Sequence, residues 1–161
     1  MLFKPNYKLD KVTDITVDFL MKNNISALIL DVDNTLSTHH GMKLTDGLDG
    51  WLSLMRDNSI KLVILSNSKE KRVKPFAEKL KLDYIYLGLK PLPFKFFKAY
   101  KMLGINRKKI ALVGDQLFTD SLGAHLAGVR SIILNPILPE DLISFKIRRW
   151  LEKILYSIYK F

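Results

Sequence analysis

A chain of 161 residues is long enough for one domain with a sizeable core, and apolar residues, 48% of the total and spread throughout, exclude disorder as its ordinary state. There is no cysteine, which excludes disulfides and thiolate chemistry and suits a reducing compartment. The formal net charge of +10 is concentrated in residues 61–109, where 14 Lys or Arg face only Glu70, Glu78 and Asp83; such an excess attracts phosphates, although most of these lysines read as the solvated faces of two helices.

In chain order, the first ten residues, MLFKPNYKLD, mix charge with proline and lead into no apolar run, so no secretory leader is expected. A helix is expected near 13–23. The short, β-branched runs ALILD (27–31), KLVILS (61–66), DYIYL (83–87), IALVGD (110–115) and RSIILN (130–135) read as buried strands. Between them lie helical patterns at 46–58, 69–81, 93–103 with Pro93 suited to a first turn, and 119–127 ending at Gly128. A last helix is expected near 140–160. No apolar run approaches the roughly 20 residues of a membrane span. The alternation predicts an α/β fold, a doubly wound, Rossmann-like, five-stranded parallel sheet with helices on both faces, its ligand site at the carboxyl ends of the strands. The expectation is one domain over residues 1–161, soluble and cytoplasmic.

Polar residues gather at that edge. Asp31 and Asp33 end the first strand, Ser66 and Asn67 the second, Lys90 follows the third, and Asp115 ends the fourth with Asp120 five residues on. Charged groups at the tip of a buried strand need water, a partner or a metal. Ser66, Asn67 and Thr119 taken singly read as caps or turn residues, but placement at successive strand ends is not explained by caps. Physical chemistry alone yields a Mg²⁺ and phosphate site with a candidate nucleophile.

In order, Asp31-Val32-Asp33-Asn34-Thr35, LSNS, Lys90-Pro91 and GDQLFTD resemble the four motifs of the haloacid dehalogenase (HAD) superfamily of aspartate-nucleophile phosphatases. DVDNTL, GLKP and GDQLFTDSLGAHLAG, with FKP near the start and NPI after the last strand, are similar more narrowly to the YqeG type of subfamily IIIA, a branch related to phosphatidylglycerophosphate phosphatases. The resemblance implies that Asp31 is the nucleophile and forms an aspartyl-phosphate, and that Asp33 protonates the leaving oxygen and then activates water. It also implies Mg²⁺ held by Asp31, Asp115 and the Asp33 carbonyl. Ser66, Asn67 and Lys90 would bind the phosphoryl group, with Asp120 orienting Lys90 or a metal-bound water and Thr35 bracing the turn.

The gaps between motifs, Leu36 to Ile60 and Lys69 to Leu89, leave no room for the cap domain that many members of this superfamily carry. An uncapped site suits a phosphate presented on something large. The resemblance suggests an anionic phospholipid, phosphatidylglycerophosphate, met at the inner face of a membrane; the alternatives are phosphorylated proteins, nucleic acid ends, or a basic module that binds RNA or ribosomes and keeps the fold. In SFKIRRWLEKILYSIYKF, Ile143, Ile147, Trp150, Leu151, Ile154, Ile158 and Phe161 recur on one helical face, with Lys146, Arg149, Lys153 and Lys160 elsewhere. That face is expected to pack on the sheet, the competing reading being contact with an anionic membrane. His39 and His40 read as exposed loop residues and His125 as a helix surface residue, with no metal-ligand spacing among them.

Overall fold

The computed structural model of the chain describes residues 3–38, 41, 43–138 and 143–159; His39, His40, Lys160 and Phe161 lie outside the described residues. The strands are β1 (Tyr7–Leu9), β2 (Ala27–Leu30), β3 (Lys61–Leu65), β4 (Asp83–Ile85), β5 (Ile110–Gly114) and β6 (Arg130–Leu134). The helices are α1 (Val17–Lys22), α2 (Leu48–Asp57), α3 (Glu70–Leu80), α4 (Phe94–Leu103), α5 (Leu122–Ala127) and α6 (Ile143–Tyr159). The sheet is parallel, in the order β1-β6-β5-β2-β3-β4. It has six strands where five were expected. The additional one, β1, is three residues long and lies at an edge, beside β6, too short for an apolar pattern to reveal it.

Alternation along the strands divides the core. In β2, Leu28 and Leu30 face one layer and Ala27 and Ile29 the other. The first layer is closed by Leu20 of α1, Trp51 and Met55 of α2, and Phe76 and Leu80 of α3. The second is closed by Phe96 and Leu103 of α4 with Ala124 and Ala127 of α5. Full burial of Leu28, Ile29 and Leu30 stabilises the fold by about 1.5–3 kcal/mol per side chain relative to exposure. The chain runs outward from β2 through β3 to β4, then returns to β5 on the other side of β2. The carboxyl ends of β2 and β5 therefore flank the switch point, where α/β sheets open a crevice. Only α2 and its flanking loop stand between β2 and β3, and among the described residues there is no cap.

The expected helix near 13–23 is divided into a 3₁₀ turn, Val12–Asp14, and α1, whose N-cap Thr16 accepts from the Phe19 amide at 3.1 Å. The expected helix at 119–127 is divided into a π-helical turn, Leu117–Ser121, and α5, Leu122–Ala127, which is capped by Gly128 with φ 72°. That wide turn brings the Asp120 side chain back under β5: a Cβ built on Gly114 would stand 2.3 Å from the Asp120 carboxyl.

Helix α6 differs most from expectation. None of its described side chains belongs to either core layer, and Ile143, Ile147, Trp150, Leu151, Ile154 and Ile158 are exposed. Arg149, Glu152 and Tyr156 face inward instead. The physical reason lies at the end of β5, where the buried Asp115 carboxylate and the Leu117 amide need polar partners that an apolar face cannot supply.

The contact at Gly114 gives a direct test. Gly114→Ala forces apart a strand end and a carboxyl fixed by other bonds, so the variant should lose about 1–3 kcal/mol of stability, the usual cost of overpacking. Urea unfolding measures this; an unchanged midpoint would mean that Asp120 is free to move away.

Candidate active site

At the end of β2, the Asp31 amide donates to the Val113 carbonyl at 2.9 Å, carrying the β2–β5 ladder one residue past the strand and fixing the Asp31 backbone in the crevice. The chain then turns tightly, with the Thr35, Leu36 and Ser37 amides all directed at the Val32 carbonyl. Asn34 takes φ 60°, a left-handed conformation that asparagine tolerates better than most residues, and its side-chain oxygen accepts from the Leu138 amide at 3.3 Å. This turn aims two carboxyls differently. Asp31 is buried, whereas Asp33 is half-buried and held by Arg72 of α3 at 2.9 Å and by the Ser68 hydroxyl at 2.8 Å. Arg72 also donates to the Ser37 hydroxyl at 3.0 Å.

Lys90 arrives from the loop after β4. Asn67, at the end of β3, pins that loop with both ends of its amide: its oxygen accepts from the Lys90 amide at 2.8 Å and its nitrogen donates to the Lys90 carbonyl at 3.0 Å. Leu87 and Leu89 adopt φ 45° and 56°, conformations costing on the order of 1–3 kcal/mol each for such residues and found where a site demands them. The buried Lys90 ammonium donates to Asp31 Oδ1 at 2.7 Å and to Asp120 Oδ1 at 2.6 Å. Ser66, also buried, accepts from the Ser68 amide at 3.1 Å through its hydroxyl oxygen.

Across the crevice, the π-helical turn places Asp120, whose second oxygen accepts from the Gln116 amide at 3.1 Å. Asp115 is buried; one oxygen accepts from Arg149 of α6, and the other, Oδ1, has no hydrogen-bond partner among the described residues. Arg149 further donates to the Asp115 carbonyl at 2.8 Å and to Glu152 at 2.9 Å, and Glu152 accepts from the Leu117 amide at 2.7 Å.

Asp31, Asp115 and Asp120 each present an oxygen within 4.8 Å of the others. With Glu152 they make four buried carboxyls against two cations, Lys90 and Arg149. Burial pushes the Asp31 carboxyl up to about 7, Lys90 pulling it back and Asp120 pushing it further. Burial likewise raises Asp115 well above the usual carboxylate range despite Arg149, and raises Glu152. Burial alone would lower Lys90, but Asp120 and Asp31 outweigh it and hold the proton. Fully ionised, the cluster would carry two uncompensated negative charges. A divalent cation matches both that deficit and the free oxygen of Asp115, and oxygen ligands of this kind suit a hard ion.

Asp31, Lys90, Asp115 and Asp120 thus lie together at the sheet edge, and Ser66 follows the end of β3 at that edge with its hydroxyl on the Ser68 amide. Asp33 borders them on Arg72. Asn67 directs its amide to the backbone of Lys90, and the Thr35 hydroxyl, buried, has no partner among the described residues, the turn being closed by backbone bonds instead. His125 is exposed. Sequence reasoning missed Ser37, Ser68, Arg72, Arg149 and Glu152. Arg72 had a usable signal, lying one helical turn beyond LSNS at the start of a helix; Arg149 and Glu152 had none, since the apolar stripe of α6 implied the opposite orientation.

The model of the haloacid dehalogenase-like hydrolase family matches residues 8–134. The chain is 32% identical over 158 residues to a Bacillus subtilis protein named "Probable phosphatase YqeG", covering 98% of this chain and 92% of that one. It is 30% identical over 141 residues to the mitochondrial phosphatidylglycerophosphatase GEP4 of Saccharomyces cerevisiae, covering 79% and 75% respectively. Its fold is similar to that of a solved HAD superfamily subfamily IIIA hydrolase from Legionella pneumophila, with a TM-score of 0.55 and 24% identity over 78% of this chain and 75% of that one. With acid, hydroxyl and lysine side chains converging at the switch point of the expected sheet, and a family match spanning the same strands, the chain belongs to the haloacid dehalogenase-like hydrolases.

Proposed function

We propose that this protein is a Mg²⁺-dependent phosphomonoesterase, residues 1–161 acting as one hydrolase unit, and that its substrate is a membrane-presented phosphomonoester of the phosphatidylglycerophosphate type. The observation that carries the reading is the shared Lys90 ammonium, which holds Asp31 at the head of the crevice beside the unpartnered oxygen of Asp115. Asp31 is the nucleophile: a carboxylate oxygen bonds to phosphorus as the ester oxygen departs with a proton from Asp33. Asp33 then takes a proton from water, which attacks the aspartyl-phosphate, releasing phosphate and restoring Asp31. Arg72 and Ser68 fix the position of the Asp33 carboxyl, one on each oxygen. Lys90 and Ser66 bind phosphoryl oxygens, and Asn67 fixes the loop that carries Lys90. Asp31, Asp115 and the Asp33 carbonyl would hold Mg²⁺, with Asp120 beside it; the ion supplies charge neutralisation that lets a carboxylate approach a phosphate dianion.

Two observations support the lipid. The similarity to a phosphatidylglycerophosphatase is one. The other is the rim of the site: the loop carrying Lys90 and the start of α4 expose Leu89, Leu92, Phe94 and Phe97 beside Lys98 and Lys101, an apolar and cationic margin suited to acyl chains and a phosphate headgroup.

Phosphate release by the purified protein is the test. Asp31→Asn should fold and lose at least roughly a thousandfold in turnover, the scale expected when a nucleophile is removed; appreciable turnover by the variant would remove Asp31 from the role. Chelation should abolish activity and Mg²⁺ restore it, and a chelator-insensitive enzyme would contradict the metal assignment. Release from phosphatidylglycerophosphate in vesicles should exceed release from phosphopeptides and 5′-phosphorylated RNA; the reverse order would replace the lipid and leave the chemistry in place.

A further inference from the structure

The outward face of α6 is explained neither by the core nor by the site. Ile143, Ile147, Trp150, Leu151, Ile154 and Ile158 recur at helical spacing and form one continuous stripe, with Ile143 75%, Trp150 61% and Ile158 59% exposed. The helix cannot bury this stripe by rolling over. Its other face is tied to the end of β5 by Arg149 to Asp115, Glu152 to the Leu117 amide, and Arg148 to Gln116 at 2.5 Å. Rolling would strand a buried carboxylate and a buried amide, each left without the partner that offsets its desolvation.

We propose that this face of α6 is a docking surface for an anionic bilayer, with the helix lying flat, its apolar stripe entering the headgroup boundary and Trp150 near its middle. Charge complementarity selects the occupant. Lys146 and Lys153, seven residues apart, run exposed along one flank of the stripe, and the only carboxylate within residues 143–159 is the buried Glu152. A second copy of this chain would bring the same stripe and the same lysines with no exposed acid on the helix to meet them. Lipid phosphates supply both a partner for the lysines and a medium for the isoleucines. The inference goes beyond the phosphatase reading and does not depend on which monoester is cleaved.

Sedimentation of the full chain with vesicles tests it, using phosphatidylcholine alone or mixed with phosphatidylglycerol. The protein should sediment with the mixed vesicles, less so in high salt, and brominated lipid should quench Trp150, a signal absent from Trp150→Phe. Ile147→Asp with Ile154→Asp should weaken binding roughly tenfold or more while leaving the circular dichroism unchanged, since both side chains already face solvent. Should that pair disturb folding, Lys146→Glu with Lys153→Glu tests the same surface and should also weaken binding. Absence of sedimentation, or equal sedimentation of the folded variants, would overturn the proposal. So would a parent dimer in solution that dissociates on the Ile147 and Ile154 substitutions without any vesicle binding. Vesicle binding without release of phosphate from the lipid would leave the docking surface standing and count against the substrate assignment alone.

Discussion

A single buried ammonium, Lys90 Nζ between Asp31 and Asp120, organises the site. Each of the three charges would be costly to bury alone, and the geometry in which they offset one another makes demands on distant parts of the chain. The loop after β4 must bring Lys90 inward, which it does with two leucines in left-handed conformations and an Asn67 amide clasping the Lys90 backbone. The segment after β5 must open into a π-helical turn so that Asp120 can reach back, and β5 must end in a residue without a side chain to admit it. Parallel pairing of β2 with β5 sets Asp31 beside that turn.

The second constraint is charge balance. Lys90 does not neutralise Asp31, Asp115 and Asp120 together, and Arg149 arrives from α6 with its own partner, Glu152, so the deficit is moved rather than removed. This explains why α6 turns a polar face inward. A buried carboxylate at the end of a central strand outweighs the apolar stripe in setting the orientation of the helix, and the stripe is left outside as a consequence. The same deficit is the ground for the proposed divalent cation: Asp115 Oδ1 has no hydrogen-bond partner among the described residues.

Much of this was legible in the sequence. Buried parallel strands are dense apolar runs, and five of them read directly; four of the five end in a polar residue, and DYIYL ends in Leu87. Asp31, Ser66 and Asp115 were visible as the polar ends of such runs, and Lys90 and Asp120 by their place shortly after them. Elements that obey a weaker local signal were not. Strand β1, three residues at an edge, gains its conformation from pairing with β6, and no local pattern records that. The π-helical turn at Leu117–Ser121 is set by what Asp120 must reach rather than by propensity. The orientation of α6 was misread because hydrophobic periodicity reports which residues share a face and is silent on which way that face turns; the deciding contact, Arg149 to Asp115, joins residues 34 positions apart.

The role of Asp31 is the claim on which the remaining chemistry rests, and trapping the intermediate addresses it most directly. The enzyme would be mixed with Mg²⁺ and radiolabelled phosphatidylglycerophosphate, quenched in acid during turnover, digested, and the labelled peptide sequenced. An aspartyl-phosphate on Asp31, labile to alkali and absent from the Asp31→Asn variant, is the expected result. Phosphate release with no labelled peptide, or with the label on any other residue, would contradict the mechanism.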